Sequence, residues 1–198
     1  MTMKLKNILI ASMIMGASVM TSSAFAANVG DTEAAVLVSN KAGGFQTVVG
    51  NTFDADQVSN VFSDKFTFTL NGNYNASGTL SSTFLSTNPI QDLVINGFSL
   101  VKYDPVTQAV ISTYAGTNVL GSGVGTEDYW KFNANGLTAG SYYLSVNGLV
   151  QGAGGGSYSS NVNLAMAPVP EAETYAMMIA GLGLLGVVAR RRKAAKQA

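Results

Sequence analysis

Across residues 27–167 no stretch of the chain keeps a helical period, and short runs alternating between apolar and polar residues take its place. Phe66, Phe68 and Leu70 alternate with Thr67 and Thr69, and Tyr142, Leu144 and Val146 with Tyr143 and Ser145. Tyr158, Ser160, Val162 and Leu164 stand opposite Ser159, Asn161 and Asn163. A period of two puts each set on one face of a strand, and β-branched and aromatic side chains suit that half-buried surface. Residues 45–49, 79–85, 93–103, 109–114 and 129–132 read as further strands. Asn71-Gly72, Asn96-Gly97, Asp104-Pro105, Asn135-Gly136, Ala139-Gly140 and Asn147-Gly148 carry turn chemistry between them. Seven to nine short strands separated by such turns predict an all-β, antiparallel β-sandwich.

The two ends are of another kind. Lys4 and Lys6 precede an uncharged apolar run over residues 8–20, and Ala24-Phe25-Ala26 follows. A positive start, a short apolar centre and small residues at −3 and −1 make a secretory signal peptide over 1–26, a signal helix that signal peptidase removes after Ala26. At the other end, residues 174–189 are uncharged and are followed by Arg190, Arg191, Arg192 and Lys193. Sixteen residues of helix rise about 24 Å, a little short of the roughly 30 Å hydrocarbon core. Snorkelling arginines and local thinning close the gap, so a single transmembrane helix is expected over 174–189. The basic tail 190–198 stays cytoplasmic, which places the domain at 27–167 outside.

Pro168-Val169-Pro170-Glu171, the glycine-containing helix with Gly181, Gly183 and Gly186, and the arginine cluster together resemble a PEP-CTERM sorting signal over 168–198. The sequence departs from that family at Ala172, where a second proline is usual. The resemblance implies recognition and removal of the tail by exosortase, a membrane cysteine enzyme of exopolysaccharide-making Gram-negative bacteria. It also implies a transient inner-membrane anchor, then the cell surface or extracellular matrix as destination. Phe62-Ser63-Asp64-Lys65-Phe66 is similar to the F-x-D-x-F signature of a PEP-CTERM subfamily of small exported β domains. The run Gly136-Leu137-Thr138-Ala139-Gly140-Ser141-Tyr142-Tyr143-Leu144-Ser145-Val146-Asn147-Gly148, with Asp128-Tyr129-Trp130-Lys131-Phe132 before it, resembles the late strands of pre-peptidase C-terminal β-sandwich domains.

Charge and chemistry narrow the function. The whole chain balances 11 basic against 11 acidic residues, but nine carboxylates and four lysines fall in 27–167, a net −5. Nucleic-acid binding, which needs phosphate neutralisation, is not expected of an acidic domain. No histidine and no cysteine occur, which removes Ser-His-Asp catalysis, thiolate chemistry and His- or Cys-ligated zinc. No catalytic residue is assigned and no enzyme is expected.

Three constellations are candidates for binding. Asp64 lies between two aromatics, either as a ligand contact or, the reading we prefer, as a structural carboxylate beside core residues Phe62 and Phe66. Asp54 and Asp56 would share a side if their segment were extended, and would then take Ca²⁺ with carbonyl help; the same holds loosely for Glu127 and Asp128. Otherwise no cofactor is expected. Tyr74, Tyr103, Tyr114, Tyr129, Trp130, Tyr143 and Tyr158 would stack on sugar rings if exposed and coplanar. The run Gly152-Ala153-Gly154-Gly155-Gly156 lacks the Lys and Ser/Thr of a phosphate loop and reads as a flexible loop. The expectation is a structural or adhesive protein of an exopolysaccharide matrix, with a glycan-binding module as the alternative.

Overall fold

The computed structural model describes residues 26–40, 43–121, 123–167 and 176–186. Eleven strands form two sheets. They are β1 (Thr32–Ala34), β2 (Val38–Ser39), β3 (Phe45–Phe53), β4 (Val61–Leu70), β5 (Tyr74–Ser82), β6 (Leu93–Tyr103), β7 (Val110–Ala115), β8 (Thr117–Asn118), β9 (Tyr129–Leu137), β10 (Gly140–Val150) and β11 (Gly156–Met166). One sheet has the order β1-β4-β10-β6-β7 and the other β2-β3-β11-β5-β9-β8. All pairs of strands are antiparallel except β1 with β4. The eight strands read from the sequence are all present; the three it missed, β1, β2 and β8, are two or three residues long and lie at sheet edges.

Alternation builds the core. Phe62, Phe66, Phe68 and Leu70 of β4 are buried while Lys65, Thr67 and Thr69 between them face outward or sit at intermediate depth. Tyr142, Leu144 and Val146 of β10 and Tyr158, Val162 and Leu164 of β11 join the same cluster. Rings meet across the two sheets: Phe53 with Phe62 at 4.5 Å and Phe98 with Phe132 at 5.1 Å between centroids. Edge-to-face and offset contacts of this kind add to the burial of the rings themselves.

Three of the six turn dipeptides are not turns. Asn96-Gly97, Asn135-Gly136 and Asn147-Gly148 lie inside β6, β9 and β10. Asn147 pairs with Gly97 and Gly148 with Ile95, so Asn96 is an extra residue and the register shifts there. A Cβ on Gly148 would stand 2.4 Å from the Phe62 ring and 2.6 Å from the Val94 carbonyl, so glycine is required by close approach. Asp104-Pro105 does turn, joining β6 to β7, with the Asp104 carboxylate accepting from Val106 and Thr107 amides at 2.8 and 3.2 Å. Those bonds hold the Asp104 carboxyl below its ordinary range.

Asn71-Gly72 and Ala139-Gly140 carry the chain from one sheet to the other rather than back along the same one. At the second of these arches the Tyr142 hydroxyl donates to the Thr138 carbonyl at 2.7 Å. This is a tyrosine-corner geometry, which ties the start of a strand to the loop before it.

The glycine run after β10 also departs from expectation. Gly152 and Gly154 amides donate to the Asp92 and Ile90 carbonyls at 2.9 and 2.7 Å, and Gly155 accepts from Asp92. A Cβ on Gly155, at φ +78°, would lie 1.9 Å from the Phe53 carbonyl oxygen. These glycines serve tight packing rather than flexibility.

Neither expected membrane element is shown. The signal segment, Ala26 apart, lies outside the described residues. The C-terminal helix is described over 176–186, exposed throughout, and no helix among the described residues is long and apolar enough to cross a membrane.

Candidate functional site

Period two decides where Asp64 points. It shares parity with Phe62 and Phe66 in β4, so its carboxylate is driven into the sandwich, where it is 1% exposed. A buried carboxylate needs donors, and it has three. Oδ1 accepts from the Asp31 amide at 2.8 Å, and Oδ2 accepts from Asn51 Nδ2 at 3.1 Å and from the Tyr158 hydroxyl. Asn51 belongs to β3 and Tyr158 to β11, so the carboxylate ties one sheet to the other and to the segment leading into β1. Tyr158 stacks on Phe62 at 5.7 Å, and Phe53 packs beside both. Burial first, then the bond to Asp64 and its charge, push the Tyr158 hydroxyl well up from its ordinary range. The signature Phe62, Asp64 and Phe66 is therefore an inter-sheet joint, with every described donor turned inward.

The other acidic candidates separate. Asp54 and Asp56 do not lie on an extended segment: Ala55–Gln57 is a turn of 3-10 helix, with Asp54 just before it. The reciprocal bonds of Gln57 close that turn, its side-chain Oε1 accepting from the Asp54 backbone amide at 2.8 Å and its own backbone amide donating to the Asp54 carbonyl at 3.1 Å. Both carboxylates are exposed, and the shared face that a calcium site needed is absent there. Glu127 and Asp128 diverge as well: Glu127 is exposed and Asp128 fully buried.

Asp128 instead feels the charge of a residue that sequence reasoning did not single out, Asp92. Asp92 and Asp128 precede β6 and β9, and both are buried, at 2% and 0% exposure. Burial pushes the Asp128 carboxyl up from its ordinary range; the Ile95 and Gly123 amides pull it down, and the Asp92 charge pushes it up again. The two residues are far apart in sequence and precede strands of different sheets, so the packing of one sheet on the other relates them. Among the described residues no three of His, Cys, Asp and Glu come together.

The aromatic candidates form no flat platform. Tyr74 and Tyr158 are buried, and Tyr103, Tyr114, Tyr129, Trp130 and Tyr143 are half-buried. Tyr103 and Tyr143 do meet on the outer face of the first sheet, at 5.3 Å, but their planes cross at 61°. Lys65 sits 5.2 Å from the Tyr143 ring centroid and covers part of it. A groove of about 370 Å³ beside Tyr103 is walled by Ala34, Leu37, Thr67 and Thr69, with no carboxylate in its lining.

The chemistry of the tail is that of an address: Pro170 and Glu171, then an uncharged glycine-containing helix, then Arg190, Arg191 and Arg192. Residues 168–193 are a PEP-CTERM protein-sorting motif. All five of those residues fall inside the matched interval, although they lie outside the described residues. PEP-CTERM proteins are exported and processed by exosortase, and the motif marks this chain for that route. The match does not extend to 62–66, so the F-x-D-x-F likeness remains a resemblance in the sequence. No curated protein matches the chain.

Proposed function

We propose that this PEP-CTERM protein is a non-enzymatic component of an exopolysaccharide matrix, a β-sandwich delivered by signal peptidase at one end and exosortase at the other. The sorting motif over 168–193 is the observation that carries the reading. In this reading 27–167 is the delivered domain, and the exosortase acts near Pro170-Glu171, while the arginines hold the tail on the cytoplasmic side. The fold supports both boundaries. From Ala27 onward the chain is already tied to β4, the Ala27 amide donating to Asn60 Oδ1 at 3.0 Å and the Val29 amide to the Val61 carbonyl at 2.9 Å. At the other end the last tie among the described residues is the Ala167 amide to the Asn73 carbonyl at 3.0 Å. A structural or adhesive role fits a domain whose candidate carboxylates are exposed singly or buried, and whose half-buried aromatics cross rather than align.

Intact mass of the protein from its native host, in membrane and extracellular fractions, tests the proposal. An extracellular species beginning at Ala27 and ending near Pro170 is expected. A species that stays in the membrane and retains Arg190, Arg191 and Arg192 in every fraction would refute delivery to the matrix, and would point to Ala172 as the reason the motif is not processed.

A further inference from the structure

Asp92 and Asp128 enclose a need the fold does not meet. Each carboxylate has one oxygen fixed by a backbone amide: Asp92 Oδ2 accepts from Gly125 at 2.7 Å, and Asp128 Oδ2 accepts from Ile95 at 2.5 Å. The other oxygen of each, Oδ1, is buried and closes no hydrogen bond, the Gly123 amide lying near the Asp128 carboxylate without bonding to Oδ1. Six buried side-chain polar atoms among the described residues lack a partner, and only these two carry formal charge. Leaving two unpaired carboxylate oxygens in a dry interior costs several kcal/mol each by the usual order of magnitude, and their mutual repulsion adds to it.

The surroundings hold both groups still. Ser82 clamps Asp128 from both sides, its Oγ accepting from the Asp128 amide at 2.9 Å and its amide donating to the Asp128 carbonyl at 3.0 Å. The Asp92 carbonyl accepts from the Gln151 and Gly152 amides at 3.0 and 2.9 Å. A Cβ on Gly152 would stand 2.3 Å from the Asp92 amide, so the glycine run lets the chain close over this residue. Beside it lies a recess of about 300 Å³, lined by Phe84, Ile90, Asp92, Val124 and Gly152 among others. Asp92 lines that recess and Asp128 does not, so an ion would reach the pair from the Asp92 side.

We propose that Asp92 Oδ1 and Asp128 Oδ1 hold a calcium ion, completed by peptide carbonyls of the described loop residues 119–121 and 123–127 and by water. Two carboxylates neutralise a divalent charge. A chain without His or Cys offers oxygen ligands alone, which suits a hard cation. Calcium rather than magnesium follows from the loop, whose Gly121 and Gly125 take positive φ and whose carbonyls would form an irregular, adaptable shell. The ion would bind the start of β6, the start of β9 and the loop into one unit.

The test uses the full chain in detergent, stripped with EDTA and melted with calcium, with magnesium and with neither. Calcium at a hundredfold excess over Kd raises Tm by roughly 5–10 °C, and magnesium by less. Terbium, a calcium substitute, gives sensitised luminescence through Trp130, the chain's single tryptophan and two residues from Asp128, and calcium displaces it. Asp92→Asn and Asp128→Asn each abolish the calcium response, while Asp54→Asn with Asp56→Asn leaves it intact. The terbium titration on wild type decides the matter even if the buried variants fail to fold. A melting temperature indifferent to calcium and no sensitised terbium signal would overturn the site, as would a response that follows Asp54 and Asp56. Stability that ignores calcium but rises on acidification would overturn it too, assigning the pair to a shared proton.

Discussion

Asp64 is a charged residue in a hydrophobic sandwich, and its worth lies in what its removal leaves behind. Asp64→Ala strands the Asp31 amide, Asn51 Nδ2 and the Tyr158 hydroxyl without an acceptor. We expect a loss of about 3 kcal/mol or more in urea unfolding, against about 1.5–3 kcal/mol for Tyr158→Phe, which removes one bond to a charged acceptor. An Asp64→Ala chain as stable as wild type would refute the inter-sheet joint. The same contact sets an alkaline limit. The Tyr158 hydroxyl, pushed up by burial and by Asp64, ionises in the fold only above the value of about 10 seen in unfolded chains. Tyr142 shifts in the same direction, chiefly through burial. For a group raised in the fold, its contribution is complete below about pH 10 and is lost as pH climbs beyond. Absorbance titration should therefore show these two hydroxyls ionising only together with alkaline unfolding. Much of this was legible: period two alone places Asp64 on the same face as its two phenylalanines. Its partners were not, because Asn51 and Tyr158 come from the opposite sheet and no local pattern links them.

At the scale of elements, glycine separates two costs that sequence alone merges. Gly155 combines φ +78° with a Cβ position 1.9 Å from the Phe53 carbonyl, while Gly121 has φ +86° and nothing within 4 Å. Gly155→Ala should cost about 2–3 kcal/mol or more and Gly121→Ala about 1 kcal/mol, as measured by denaturant midpoint; equal effects would mean the close approach is absent. The strand positions were readable because alternation is a local signal. The Asn-Gly dipeptides were not, since the same pair suits a hairpin turn and a bulge inside a long strand. In β6 and β10 they face one another, and what decides between the two uses is the length of partner available, a property of the sheet. Asp128 was legible only as a neighbour of Glu127, and Asp92 not at all, because each reads as an ordinary acidic residue before a strand and only the packing of one sheet on the other brings β6 and β9 together.

For the molecule as a whole, the helix at 176–186 is exposed along its length, and among the described residues the last bond of the sandwich is made by Ala167. Ending the chain after Ala167 should leave Tm within about 1–2 °C of the full chain, because the described part of the tail, 176–186, buries no apolar side chain. A large drop would show that the tail also supports the fold. The order of the strands has a further consequence. β10 lies between β4 and β6, and β11 between β3 and β5, so the last two strands in the chain are interior members of both sheets. A chain that emerges from a ribosome or a translocation channel N-terminus first must release nearly all of itself before either sheet can close. Until then β3, β4, β5 and β6 each present an open edge to any neighbour, and the burden of keeping copies apart falls on the export machinery rather than on the sandwich.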